Sequence, residues 1–351
     1  AELYPRLKRL ALIAARHDLN FTIDAEEADR LVISLKLLER LASEPELGDW
    51  RGLGLAVQAY QKRGALAVAR VAEIARVSGR RLMVRLVKGA YWDSEIKRAQ
   101  VNGRPDYPVY TTKAATDLSY LVCARALIEA SPYVFAQFAT HNAHTLTAVH
   151  VMAKAAGVKI EFQRLHGMGE ALYRAADALR EGAVVRTYAP VGGHEDLLPY
   201  LVRRLLENGA NTSFVHALLD EGVPAEDVVV DPIVAVEKAG VGPHPKIPRP
   251  ADIYGAERRN SAGFDLSIPE KAARLHHAAR ALAPLSAGPA AGEAQDVLSP
   301  SETGVVVGQA REASVAEIDA AFAAARDAQG AWNALGGFRR AEVLRAMADA
   351  L

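Results

Sequence analysis

The sequence predicts an α/β fold in which parallel strands and helices alternate as in a (β/α)8 barrel. Three observations predict it. Six short, almost continuously apolar runs alternate with helix-length segments from residue 1 to about 218; polar or aromatic side chains stand at or just past the C-terminal end of nearly every run; and no G-x-G-x-x-G fingerprint joins a strand to a helix. Near-continuous apolar runs suit strands covered on both faces. Repeated β-then-α order makes those strands parallel. Functional groups gathered at strand C-terminal ends mark a barrel rim, and the missing glycine fingerprint removes the main signature of a dinucleotide-binding sheet.

The opening stretch AELYPRLKRLALIAARHD is amphipathic and helical. Strands are then expected at 20–24 (NFTID), 54–60 (GLAVQAY), 82–88 (LMVRLVK), 134–140 (VFAQFAT), 159–165 (KIEFQRL) and 184–190 (VVRTYAP), with helices over 26–42, 61–77, 116–130, 144–156 and 170–180. A barrel needs eight strands and six are found. The first two are expected upstream of residue 1, so the chain reads as a fragment holding strands three to eight. Gly192-Gly193, Glu195 and Asp196, then apolar periodicity and Asn208-Gly209 bracket a further helix. Pro199 should delay its start or kink it. Beyond Phe214 the texture changes. Residues 231–250 are rich in Pro and Gly and read as an extended crossing or linker, 271–285 as a helix, 287–296 as a small-residue linker and 305–308 as a strand. Residues 314–351 are Ala-rich and helical, with Ser314 and Glu317 spaced as a capping box. The expected division is 1–218 (barrel), 219–298 (post-barrel segment and linker) and 299–351 (start of another domain).

Composition excludes several classes. With 50% hydrophobic residues among 351, the chain can bury a core and is not globally disordered. Its 42 basic and 42 acidic residues give no basic face for nucleic acid. A single Cys excludes a disulfide-stapled secreted domain and fits a reducing, cytoplasmic compartment. The longest stretch without a charge, 130–152, contains Gln137, His141, Asn142 and His144, which reads as a buried strand and helix rather than a membrane span.

Three segments carry groups suited to chemistry. On the 190–214 helix Tyr200, Arg203, Arg204 and Glu207 stand at i, i+3, i+4 and i+7 and share one face. Two guanidiniums beside an aromatic hydroxyl suit a small carboxylate; a solvated face with an Arg–Glu pair is the other reading. In RRLMVRLVKGAYWDSEIK, Arg85 lies within an apolar strand and needs a ligand or carboxylate to offset its desolvation. The following Gly89-Ala90 allows close approach of a flat ligand, with Tyr91 and Trp92 for stacking. Thr140-His141-Asn142-Ala143-His144 follows another strand. No third ligand at suitable spacing accompanies the two histidines, so hydrogen bonding to phosphate or ribose is preferred to a metal. Lys88 has the position of a Schiff-base lysine, without a sign of the required desolvation. Cys123 reads as a small core residue.

Together, LMVRLVKGAYWDSEIKRAQ, QFATHNAHT, FQRLHGMGE and YAPVG followed by YLVRRLLENGANTSFVH resemble the proline dehydrogenase domain of the proline utilisation A family, bacterial flavoenzymes that also carry a glutamate-semialdehyde dehydrogenase domain. The resemblance runs from residue 1 to about 255 and continues through KIPRPADIYGAERRNSAGFDL. The tail from Ser299 is similar to the opening of an aldehyde dehydrogenase domain, stopping short of its nucleophile.

The resemblance implies a proline dehydrogenase-type (β/α)8 barrel that binds FAD and oxidises L-proline to Δ1-pyrroline-5-carboxylate by hydride transfer to flavin N5. That is the first step of proline catabolism to glutamate, with electrons passed to membrane quinone. It assigns the proline carboxylate to Arg203 and Arg204, with Glu207 supporting them. Tyr188, Tyr200 and Leu165 wall the ring, Asp24 organises the pocket and Tyr91 borders it. Arg85 lies near flavin N5. Gln58, Val87, Lys88, Gly89 and Ala90 run along the isoalloxazine, and Trp92, Thr140, His141, Asn142 and Phe214 along the ribityl-to-adenine part. No resident metal is implied, and NAD belongs only to the aldehyde dehydrogenase portion that the chain lacks. The implied partners are proline, quinone, a peripheral contact with the inner face of the bacterial membrane and other copies of the chain as a homo-oligomer. A substrate-contacting lysine on the family's second strand has no counterpart here. Two other readings stay open: a flavin barrel of the methylenetetrahydrofolate reductase-like type, and a non-catalytic folding or oligomerisation module.

Overall fold

A computed structural model describes residues 2–176, 184–209, 229–240, 242–282 and 290–350. The chain divides into two compact units, Ala1–Ala272 and Ala273–Leu351.

The first unit is built on one six-stranded, all-parallel sheet in the order β1 (Phe21–Ile23), β2 (Leu53–Gln58), β3 (Leu82–Val87), β4 (Val134–Ala139), β5 (Glu161–Leu165) and β6 (Val184–Tyr188). Each strand pairs with the next in sequence, as a curling half-barrel requires. Helices α1 (Leu3–Arg16), α2 (Leu31–Ala42), α3 (Gly64–Ser78), α4 (Trp92–Val101), α5 (Lys113–Glu129), α6 (Ala143–Ala156), α7 (Glu170–Ala175) and α8 (His194–Gly209) precede, connect or follow these strands. Side chains alternate between the sheet's two faces. Leu53, Leu55, Val57, Leu82, Val84, Leu86, Val134, Ala136, Phe138, Ile160 and Phe162 join one buried core with residues of α2, α3, α5 and α6. The opposite set, on the inner face, is more polar: Thr22 and Asp24, Gln58, Arg85, Gln137, Glu161 and Gln163, then Arg186 and Tyr188.

That inner face contains a buried polar network. Glu161 is 2% exposed and receives Gln137 Nε2 at 2.9 Å, Gln163 Nε2 at 2.8 Å and a two-pronged contact from Arg186 at 2.8–3.0 Å. A carboxylate can be buried here because its lone pairs are filled from three strands.

Several expected elements differ. α8 begins at His194 and runs through Pro199 without the late start its sequence suggested. The bond that Pro199 cannot make falls on the carbonyl of Glu195, in an exposed first turn that water reaches. The Pro/Gly-rich stretch is not wholly extended: Pro232–Ala239 forms α9, with the Asp231 side chain accepting the Ile233 N–H at 2.8 Å and Pro232 at the favoured first position. The expected helix 271–285 is α10, Pro269–Ala281. Residues 177–180 of the expected 170–180 helix lie outside the described residues.

In the second unit, β7 (Ala294–Leu298) pairs antiparallel with β8 (Val306–Arg311), so part of the expected 287–296 linker is a strand. α11 (Val315–Ala334) opens with the capping box of Ser314 and Glu317, and α12 (Gly336–Ala350) follows.

Candidate functional site at the strand C-terminal ends

The ends of β1, β3, β5 and β6, the loop after β3 and the first half of α8 bring together most of the residues singled out in the sequence. Asp24 follows β1 and Arg85 lies in β3; Arg85 Nη2 donates to Asp24 Oδ1 at 2.5 Å. The Arg85 guanidinium also lies 5.7 Å from the ring centroid of Tyr188, at the end of β6. Arg85 Nε is buried and has no hydrogen-bond partner. Leu165, in β5, is in register with Tyr188 and buried beside it. Burial raises the Tyr188 hydroxyl above its ordinary value, and the nearby Arg85 and Arg204 partly oppose that.

From α8 the two arginines reach different neighbours. The Arg203 guanidinium lies 5.7 Å from the Tyr91 ring centroid and Arg204 5.2 Å from that of Tyr200. Arg204 also acts on Tyr188 and His141. Three guanidiniums thus stand around one region, where Asp24 and Glu26 already engage Arg85 and Tyr91, a favourable field for a small carboxylate. Tyr91 donates to Glu26 Oε2 at 2.6 Å, and burial together with that bond pushes its hydroxyl up to about 12.

The strand ends beside this cluster provide bare or capped backbone. Gly89 has φ +132°, and a Cβ there would lie 2.6 Å from the buried Tyr60 ring, so no side chain can occupy that position. Gln58 is 3% exposed; its Oε1 accepts from Gln61 at 2.7 Å and its Nε2 reaches the Ala25 carbonyl at 3.4 Å. Val87 ends β3 on the inner face, and Ala90 follows Gly89 in the loop. Trp92 Nε1 donates to the Tyr110 carbonyl at 2.8 Å. Lys88 turns its ammonium to Asp117 on α5, an ion pair that supplies the charge partner a Schiff-base lysine would lack.

Past β4, the Thr140 hydroxyl accepts the Asn142 N–H at 3.1 Å, and Asn142 caps α6 by accepting the Thr145 N–H at 2.9 Å. His141 Nε2 accepts the Leu165 N–H at 3.2 Å, and burial, then Arg204 and Arg164, lower its pKa to about 4. The imidazole is neutral at pH 7, with Nε2 committed to the backbone. Among the described residues no group of three or more His, Cys, Asp or Glu is placed to hold a metal. Phe214 and the Glu207 side chain lie outside the described residues. Cys123 is buried in α5, where desolvation raises its thiol.

Sequence reasoning missed Glu26, Asp117 and Glu161, the carboxylates that meet Tyr91, Lys88 and Arg186. Glu161 carried a legible signal, an acid in the middle of an apolar strand. The other two pair across 65 and 29 residues, a separation that local spacing does not encode.

Residues 2–217 match the proline dehydrogenase family model and residues 288–351 the aldehyde dehydrogenase family model. The chain is 50% identical over 364 aligned residues to the bifunctional protein PutA of Klebsiella aerogenes, covering 98% of this chain and 28% of that protein. A crystal structure of a bifunctional proline utilization A protein superposes with a TM-score of 0.81 at 46% identity, over 94% of this chain and 31% of that one. Another, of proline utilization A with proline bound in remote sites, gives 0.78 at 50% identity, over 83% and 29%. The chain therefore spans under a third of the length of these relatives.

Proposed function

The chain belongs to the proline dehydrogenase family, and we propose that its barrel oxidises L-proline to Δ1-pyrroline-5-carboxylate with FAD as the acceptor. The observation that carries this reading is the ring of Arg85, Arg203 and Arg204 around the ends of β1, β3 and β6, closed by Tyr91, Tyr188 and Tyr200. Arg203 and Arg204 hold the substrate carboxylate with paired hydrogen bonds. Tyr188, Tyr200 and Leu165 wall an apolar ring and exclude water from it. Asp24 keeps Arg85 oriented.

The residues fit a flavin. The buried, unpartnered Arg85 Nε suits an acceptor atom on its ring system. Gly89 packs against the buried Tyr60 ring and turns the loop that carries Val87, Lys88 and Ala90, along which a flat group would lie, with Gln58 at the end of the neighbouring strand. When bound, FAD supplies a hydride acceptor at N5. Beside it, Arg85 would favour negative charge on the ring, and the carboxylate clamp would fix the orientation of proline. Neutral His141, Thr140, Asn142 and Trp92 would hold the ribityl and adenine parts.

Transfer of electrons to quinone, peripheral contact with the inner face of the bacterial membrane, a cytoplasmic location and homo-oligomerisation complete the proposal. No helix among the described residues is long and apolar enough to cross a membrane. NAD belongs to the aldehyde dehydrogenase part of which residues 288–351 match the start. Visible flavin absorbance in the purified full-length protein, bleached anaerobically by L-proline, tests the reading; a flavin that proline leaves oxidised, or one that Arg204→Met leaves fully reducible at the same proline concentration, overturns it.

A further inference from the structure

Glu95 is a buried carboxylate to which the site above assigns no role. It is 1% exposed and sits in the first turn of α4, four residues after Tyr91. Its Oε1 accepts the backbone N–H of Ala28 at 2.6 Å, across 67 residues of sequence. Ala28 is 0% exposed, and its carbonyl accepts from Arg63. Both backbone polar groups of Ala28 are therefore held by side chains from other segments.

Asp24, which orients Arg85, lies four residues before Ala28, and Glu26, which accepts from Tyr91, lies two before it. The Glu95 N–H in turn donates to the Tyr91 carbonyl at 2.9 Å. The start of α4 thus grips segment 24–28 twice, once through the exposed Tyr91–Glu26 bond and once through the buried Glu95–Ala28 bond. Water can replace the first contact. It cannot replace the second, where a lost partner leaves an unsatisfied buried N–H.

We propose that Glu95 is a positioning residue for the reaction, fixing Asp24 and Tyr91 against Arg85 and Arg203 by holding the Ala28 N–H. The inference rests on the proline-oxidation reading.

Three variants of the full-length protein test it. Glu95→Ala removes the acceptor, Glu95→Gln keeps an acceptor oxygen, and Ala28→Pro removes the donor. The backbone at position 28 accepts proline, because it opens a 3-10 turn (Ala28–Arg30) and follows Glu27, whose ψ of 155° is the extended backbone a residue before proline prefers. The readouts are kcat and KM for proline from flavin reduction, and hydrogen exchange of segment 24–30 without substrate. Glu95→Ala and Ala28→Pro are each expected to raise KM about tenfold with kcat changed less than about threefold, and to speed exchange of 24–30 about tenfold. Glu95→Gln should stay within about threefold of the parent, and the Glu95→Ala/Ala28→Pro double variant should be no worse than either single one. Parent-like KM and exchange in both disruptive variants, additive single effects, or a Glu95→Gln as impaired as Glu95→Ala overturns the proposal. If Glu95→Ala does not fold, Ala28→Pro against the parent decides. If proline fails to reduce the parent flavin, the functional reading fails, while the exchange measurements still judge the clamp.

Discussion

Asp24 and Arg85 meet across β1 to β3 with Oδ1 2.5 Å from Nη2, while Arg85 Nε stays buried and unpartnered. One end of the guanidinium is anchored and the other is available. Arg85→Met should cut proline-dependent flavin reduction by roughly a hundredfold, the scale seen when one preorganised donor to developing charge is lost. It should also lower the flavin reduction potential, since a cation beside the reduced ring is removed. Potentiometry of the variant checks this independently of turnover.

The Tyr91 ring lies near Arg203 while its hydroxyl serves Glu26. Tyr91→Phe separates the two contacts: the ring remains and only a partly exposed hydrogen bond is lost. A fall in kcat/KM of no more than about tenfold is expected, against a larger fall for Tyr91→Ala. In a difference titration against Tyr91→Phe, this tyrosine should be no more than about a tenth ionised at pH 11, because burial and the bond to Glu26 push its hydroxyl up to about 12.

His141 gives a pH prediction with a definite sign. Its folded pKa of about 4 lies below the ordinary value of 6.5, so between those values the unfolded chain binds more protons than the folded one. Its contribution to stability is present above about pH 6.5 and is lost as pH falls toward 4. Thermal melts should show a Tm that declines more steeply with acidification over this range in the parent than in His141→Phe.

Glu161 fills its lone pairs with Gln137, Gln163 and Arg186. Glu161→Leu would leave two buried amide groups without their acceptor and strip Arg186 of its carboxylate. A loss of about 3 kcal/mol in urea unfolding is expected, with Glu161→Gln costing less.

Gly89→Ala would force a Cβ to 2.6 Å from the Tyr60 ring at a φ of +132°. Both the clash and the backbone strain oppose it. The variant should retain much less flavin than the parent through a desalting column, whereas Gly79→Ala, at φ +66° with open space around it, should cost stability alone.

The sequence by itself determined the strand order and the sidedness of the sheet. Six apolar runs with helices between them admit parallel pairing in sequence order, and the period of two assigns Asp24, Gln58, Arg85 and Tyr188 to the face away from the helices. The helical period likewise grouped Tyr200, Arg203 and Arg204. These are local rules, satisfied within a strand or two turns of helix. Three misreadings have identifiable causes: the exposed first turn of α8 tolerates Pro199, composition hid α9 within a Pro-rich stretch, and β7 is a strand because the following β8 pairs with it.

Only the tertiary structure decided which charges meet. Asp24 with Arg85, Glu26 with Tyr91, Lys88 with Asp117 and Glu95 with the Ala28 N–H are contacts across 29 to 67 residues. Each depends on how far one strand end is rotated past the next and where the following loop turns. A carboxylate's identity says that it needs a donor. Sheet register and loop geometry choose the donor, because desolvation makes an unmet charge costly wherever the packing happens to bury it.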